Sequence, residues 1–599
     1  MPYDGLVLAA ITRELQEKLT GGRIDRIHQP TKDEVILVVR RPGFRGRLLL
    51  SANARSARVH LTRTTRENPA AAPVFCMVLR KHLEGGRIIS MRQPGLERVL
   101  VIRVESRDEL GRQSYKQLIC EIMGKHSNIL LVEPVTNVII DGIKRYTHAV
   151  SRHREVLPGQ PYLPPPFQNK LNPLLLNEEE FRQHCLDVPL ETTLLELLQG
   201  GFEGLSKVTC REIIDRANLT PDVLLDHCGE YELRSLWEPF HQIMALTRNG
   251  RFVPCLTCGK KSKAMDFAAL ELTHTGLAIK HGEMNDLVDQ FFYEREQAEV
   301  INKERNHVIA VLKKEMSRLE KKLDLYRASL KATAEANKFK LYGELLTANL
   351  YRLKQGQPEA CLENYYESRE QIVTIPLERH RSPSENAQRY FKKYIKARNT
   401  RTALEPRIAD AREEMLYLEG VKTDLEQAGS LPELAEIKQE LAEQGYLKSP
   451  PPSPGGKKKK KERLLPKPLS FVSSDGMQIL VGKNNKQNDY LTLKLAREND
   501  LWLHTKDIHG SHVIIRTEGK EISASTLTEA AALAAFFSKG RSSTNVPVDY
   551  TLKKHVSKPK GARPGMVIYR QQRTIIAMPD EKLVEELGDR SREEGKIKG

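Results

Sequence analysis

The sequence predicts a multidomain α+β protein: an N-terminal α+β domain, a helical region with a helix-hairpin-helix, a long antiparallel coiled coil with a small tip domain, and a C-terminal α+β domain. Three observations carry this. The 599 residues exceed a single core, and about 150 residues per domain implies roughly four units. The hydrophobic period changes from strand-like to helical and back along the chain. Hydrophobic residues make up 39% and charged residues 29%, enough apolar material for packed cores.

Residues 1–175 alternate short apolar runs with turn formers: VILVV at 35–39, RLLLSA at 47–52, RVLVIRV at 98–104, LICEIM at 118–123 and SNILLVE at 127–133. Two helices interrupt them, Leu8–Leu19 and Phe75–Leu83, the second stopped by Gly85-Gly86 as a C-cap would stop it. The Pro-rich LPGQPYLPPP at 157–166 closes the domain.

Residues 176–284 turn helical and contain GFEGLSKVTCREI at 201–213. Gly204-Leu205-Ser206 has the layout of a helix-hairpin-helix, in which a tight hairpin presents backbone N–H groups to a phosphate. A helical turn that only packs has the same pattern.

Residues 285–447 carry two heptad-like seams, Leu312, Met316, Leu319, Leu323, Tyr326, Leu330 and Leu404, Ile408, Ala411, Met415, Leu418, which can pair antiparallel. Between them, near 345–385, Gly, Pro and the strand-like IVTIPL suggest a tip domain. Residues 448–468, KSPPPSPGGKKKKKERLLPKP, compose a flexible basic linker. Strands and turns return over 469–580, with a helix at Leu527–Lys539, and a charged tail occupies 581–599.

Charge is segregated. Residues 1–170 carry 28 Lys+Arg against 16 Asp+Glu, residues 171–447 carry 38 against 45, and residues 469–579 carry 16 against 9. Two basic ends around an acidic middle suggest two polyanion contacts. Residues 551–579 hold seven basic side chains, including Lys553, Lys554, Lys558, Lys560 and Arg563, and no acidic one, which is an RNA-backbone footprint. In the WLHTKDIHGSH run, Trp502, His504 and His509 are candidates for base stacking, against the commoner role of a buried tryptophan.

No Walker A loop, HExxH or GxSxG is present, which disfavours an NTPase, a zinc protease or a serine hydrolase. The eight cysteines are sparse, and six of them, Cys76, Cys120, Cys185, Cys210, Cys228 and Cys361, stand alone in apolar or helical contexts and read as reduced core residues. Cys255 and Cys258 have half of a zinc ribbon's spacing; a closed site needs a second pair, for which His227 and Cys228 are candidates, and no metal is expected. The N-terminus meets charge too soon for a signal peptide and no apolar run is long enough to span a membrane, so a cytoplasmic location is expected.

Nine strings, spread in order over nearly the whole chain, resemble the NFACT family in its bacterial branch: GGRIDRIHQP (21–30), FCMVLRKHLEGGRI (75–88), MGKHSNILL (123–131), LPGQPY (157–162), YGELLTANLY (342–351), SENAQRYFKKY (384–394), DGMQILVGKNNKQND (475–489), DLWLHTKDIHGSHVII (500–515) and PVDYTLKKHV (547–556). The resemblance implies a ribosome quality-control factor. Such factors bind a 50S subunit obstructed by peptidyl-tRNA, recruit alanyl-tRNA for messenger-independent alanine tailing, and work with a small accessory protein, RqcP. It also implies no cofactor and no bond-making step by the chain itself.

By motif, the family's tRNA-contacting residues fall on Asp4 and on Glu97-Arg98, where Glu97 replaces the family's Asp. An arginine can fork onto phosphate or a base edge, and a carboxylate can accept from a base amine. A surface ion pair on a strand is the plainer reading of the two residues. The family's older name implies an alternative, a fibronectin-binding matrix protein. Its fold likeness to formamidopyrimidine-DNA glycosylases implies another, an enzyme using Pro2 as nucleophile; here Tyr3 stands where such enzymes have Glu.

Overall fold

The structure, a computed structural model, describes residues 2–107, 111–147, 154–166, 168–259, 263–366, 371–448 and 467–597. The chain divides into two compact units, residues 1–298 and 299–599.

In the first unit a nine-stranded antiparallel sheet is built from near-consecutive strands. The one reordering is that Arg23–Thr31 lies between Glu34–Arg41 and Arg87–Arg92. The β-branched and leucine-rich runs read from the sequence fall inside these strands, at Glu34–Arg41, Phe44–Ser51, Val99–Arg107, Gln113–Glu121 and Asn128–Glu133. Helices Gly5–Leu19 and Val74–Leu83 lay Leu8, Ile11, Leu15, Phe75 and Leu79 into the same apolar core as the sheet. Five helices or helical turns follow between Glu178 and Arg248.

The region 176–284 was expected to be helical, and over 255–281 it is not. Strands Cys255–Cys258, Ala264–Ala268 and Ala278–His281 form a three-stranded antiparallel sheet there. Strands of four or five residues are too short to display a period.

The second unit contains the predicted antiparallel seam. Helix Met284–Ala332 begins in the first unit, and helix Pro383–Gln427 returns. At 1.5 Å per residue the 49 residues of the first extend about 74 Å. Leu312 and Leu319 pack with Tyr417, Leu418 and Val421, whereas Leu323 packs with Leu404, Ile408 and Ala411, so contacts run in opposite chain directions. The tip holds helix Ala336–Ala348 and hairpin Glu359–Asn364 with Gln371–Pro376, where IVTIPL was expected to form a strand. Helix Leu431–Glu443 buries Leu434, Ile437 and Leu441 against the seam.

Residues 449–466, nearly all of the basic linker, lie outside the described residues. Beyond them a six-stranded sheet packs on helix Ala524–Phe536, and the charged tail forms helix Glu581–Ile597. Among the described residues no helix is long and apolar enough to cross a membrane.

Candidate RNA-contacting site

Three backbones meet at one point of the first unit. The amide of Gly5, at the start of helix Gly5–Leu19, donates to the carbonyl of Gly204 (2.8 Å). Gly204 has φ +72°, and a Cβ there would stand 2.6 Å from the Leu96 carbonyl; a Cβ on Gly5 would stand 2.2 Å from the same oxygen. Glycine is therefore required at both positions to bring the hairpin, the first helix and the 93–98 loop together.

Asp4 fixes this junction. Its carboxylate caps the first helix by accepting from the Val7 amide (2.9 Å), and its other oxygen accepts from the Ser206 amide (3.2 Å) and the Thr209 hydroxyl (2.6 Å). It is 5% exposed, and burial raises its pKa against the pull of those hydrogen bonds. Asp4 was expected to touch tRNA; both its oxygens are engaged inside the protein, where they position the hairpin.

The hairpin joins helices Leu194–Gly201 and Lys207–Arg216, as the GFEGLSKVTC pattern predicts. The Ser206 hydroxyl caps the second helix at Thr209. The first-turn amides of Lys207 and Val208 have no acceptor among the described residues. A helix N-terminus with free amides favours an anion.

Gln93 holds the 93–98 loop in place by donating to the carbonyls of Gly5 (3.0 Å) and Glu97 (2.8 Å). Glu97 and Arg98 follow in that loop, at the entrance to strand Val99–Arg107, and are half-buried. Neither side chain has a hydrogen bond or ion pair among the described residues, so the surface ion pair considered for them is not formed.

Both line a cavity of about 340 Å³ whose other walls include the hairpin, Asp4, Lys170, Glu203, Asp266 and Met123. Burial, and then the charge of Glu97, raise the pKa of Glu203; Lys170 opposes this. The cavity thus offers carboxylates for an amine and a guanidinium with two amides for a phosphate. Sequence reasoning missed Glu203 and Lys170. Glu203 sits inside the hairpin motif, whereas Lys170 comes from a Pro-rich stretch with no period. Tyr3 is buried and donates its hydroxyl to Val59 O (2.6 Å).

The basic residues of the C-terminal domain divide into two sets. Lys554 and Lys560 are exposed, Lys553 is half-buried at the turn Lys553–His555, and none of the three has an ion pair among the described residues. Lys558 and Arg563 were expected on RNA, but internal partners hold them. Lys558 pairs with Asp489; Arg563 donates to Tyr446 Oη (2.8 Å), approaches Glu414 (3.9 Å) and lies over the Tyr417 ring. Trp502 is fully buried, packed on Tyr569 and His504, and cannot stack on a base. Burial pushes the His504 pKa down to about 4.

Cys255 and Cys258 lie three residues apart on one strand, so their thiols leave opposite faces. Cys255 Sγ donates to Leu270 O (3.1 Å), and burial pushes the thiol up to about 11. Among the described residues no three His, Cys, Asp or Glu side chains are grouped to hold a metal ion.

Known proteins match the chain along its length. "Rqc2 homolog RqcH" of Bacillus subtilis is 40% identical over 97% of this chain and 98% of its own. The protein of the same name from Streptococcus pneumoniae is 35% identical over 98% and 99%. A mouse protein, "Ribosome quality control complex subunit NEMF", is 24% identical over 34% of this chain and 20% of its own. The family model for the NFACT protein RNA binding domain matches residues 467–571, the six-stranded unit with its free lysines. The model for the NFACT N-terminal and middle domains matches residues 4–463, which include the Asp4 junction, the hairpin, the Glu97-Arg98 loop and the seam; the chain belongs to the NFACT family, on the branch of the bacterial Rqc2 homologues.

Proposed function

We propose that this protein is a cytoplasmic ribosome quality-control factor that binds obstructed 50S subunits carrying peptidyl-tRNA and recruits alanyl-tRNA for alanine tailing. The observation that carries the reading is the unpartnered Glu97-Arg98 pair at the mouth of a cavity walled by the helix-hairpin-helix. Arg98 supplies a planar fork for a phosphate or a base edge, and Glu97 an acceptor for an exocyclic amine. The Lys207 and Val208 amides give a second phosphate perch. Nothing in this arrangement needs the chain to make or break a bond, so the protein acts as a non-enzymatic adaptor and the ribosome supplies the chemistry. Names of relatives and the RNA-binding family domain support the ribosomal setting.

The test is the double variant Glu97→Ala with Arg98→Ala. Because neither side chain has an internal partner, the melting temperature should hold and 50S co-sedimentation should survive, while co-purifying tRNA and alanine tails disappear. Normal tailing by the folded double variant would overturn the assignment.

A further inference from the structure

The open face of the first sheet carries a second basic feature, apart from the Glu97 cavity. Strands Arg23–Thr31, Glu34–Arg41 and Phe44–Ser51 lie side by side, and their register aligns Arg26, Val38 and Arg47 in one row across the three. All three line a concavity of about 620 Å³. With strands about 4.8 Å apart, the two arginines stand roughly 10 Å from each other on either side of the valine. Arg45 stands one turn of the pleat away, opposite Arg40. Ile36 and Val38 form the floor, and the Phe44 ring lies over Gly46, where a Cβ would meet it at 2.7 Å.

Only part of the charge here is neutralised from within. At the rim Lys18 pairs with Glu283, Arg63 with Asp286 and Arg66 with Glu34 and Glu296. Arg26, Arg45 and Arg47 have no carboxylate partner among the described residues; Arg47 donates to Thr65 Oγ1 (2.8 Å), which steadies it without cancelling its charge. His28, on the same face, has its pKa lowered by burial first and then by the fields of Arg80, Arg26 and Arg47, with Glu84 opposing them.

We propose that this face is a docking surface for the phosphate backbone of RNA, bound by Arg26, Arg45 and Arg47. Three uncompensated guanidiniums around an apolar floor edged by the half-buried Phe44 ring suit a polyanion that also has flat apolar faces. An acidic protein segment meets the charge but not the floor. The inference rests on the RNA-binding reading above and adds a surface to it.

The experiment titrates a fluorescein-labelled 20-mer of uridine with the full chain over a range of KCl. Arg26→Gln, Arg45→Gln and Arg47→Gln combined should reduce the slope of log K against log salt by about 2, at about 0.7 per phosphate on a single strand. Replacement of the same three by lysine should restore most of the slope. A glutamine variant with unchanged slope and unchanged melting temperature overturns the proposal, as does polyglutamate of equal charge competing as well as unlabelled RNA. If Lys553→Ala, Lys554→Ala and Lys560→Ala flatten the slope but the arginine variant does not, this surface is rejected while the RNA-binding reading stands. If the unaltered chain fails to bind the probe, both fall.

Discussion

Asp4 and Glu97 both line one cavity, yet only Glu97 has unused oxygens, so their replacement should have different consequences. Asp4→Ala leaves the Ser206 amide buried without an acceptor, leaves the Thr209 hydroxyl only the Ser206 hydroxyl as partner, and uncaps the first helix. We expect a loss of about 2–4 kcal/mol in a urea melt. An Asp4→Ala protein that melts like the unaltered chain but has lost tRNA would return Asp4 to the contact surface. Glu97→Asp should behave differently: the side chain has no internal partner to lose, and the change restores the family's usual residue. Its tRNA content and its melting temperature should both stay near those of the unaltered protein.

Where helix Pro383–Gln427 meets the C-terminal sheet domain, the packing depends on buried ionisable groups. Gly420 lets the His509 ring approach so closely that a Cβ would stand 2.3 Å from it, and His509 Nε2 meets Asp424 Oδ1 at 2.9 Å. Nearby, Glu440 accepts from Tyr417 Oη (2.8 Å) and Asn485 Nδ2 (3.0 Å), and burial raises its pKa from 4.5 to about 7. Between those values the folded chain holds a proton that the unfolded chain has lost, so stability falls as pH rises from 4.5 to 7. Glu440→Gln keeps an acceptor for both partners and removes the charge. It should flatten that pH dependence and stabilise the second unit above pH 7 by at most about 3 kcal/mol; a melt whose pH profile matches the unaltered chain would refute this origin.

Such a network was not legible in the sequence, because its members lie far apart and share no period. The seam at Leu312–Leu330, the strand at 35–39 and the hairpin at Gly204 were legible, since each repeats a local rule of spacing or turn chemistry. The sheet at 255–281 and the helix Leu431–Glu443 were missed: the first has strands too short to show alternation, and the second merges with a charged helical stretch. The Glu97-Arg98 position came from family resemblance and not from any pattern in QPGLERVLVI.

Across the whole chain, positive charge is carried by residues 1–170 and 469–579 and negative charge by the middle, so RNA contacts should be distributed and not confined to one domain. The free set Lys553, Lys554 and Lys560 and the held pair Lys558 and Arg563 give a way to test this on the ribosome itself. Alanine at the three free lysines removes charges that no carboxylate compensates. Binding to 50S subunits should weaken at low salt, and the further loss of affinity between 50 and 200 mM salt should be roughly 20- to 40-fold smaller than for the unaltered chain, from three fewer phosphate contacts. Melting should be unchanged. Alanine at Lys558 and Arg563 takes the cationic partner from Asp489, Glu414 and Tyr446, leaving only the Gly565 amide on Asp489 and the Tyr446–Glu414 hydrogen bond, so those variants should lower the melting temperature of the second unit and alter the salt slope little. Sedimentation of each variant through gradients at several salt concentrations, with a thermal melt of the same preparation, separates the two classes. If all five lysine and arginine positions instead flatten the salt slope equally with no change in melting, the internal pairs give way on the ribosome and the whole cluster faces RNA.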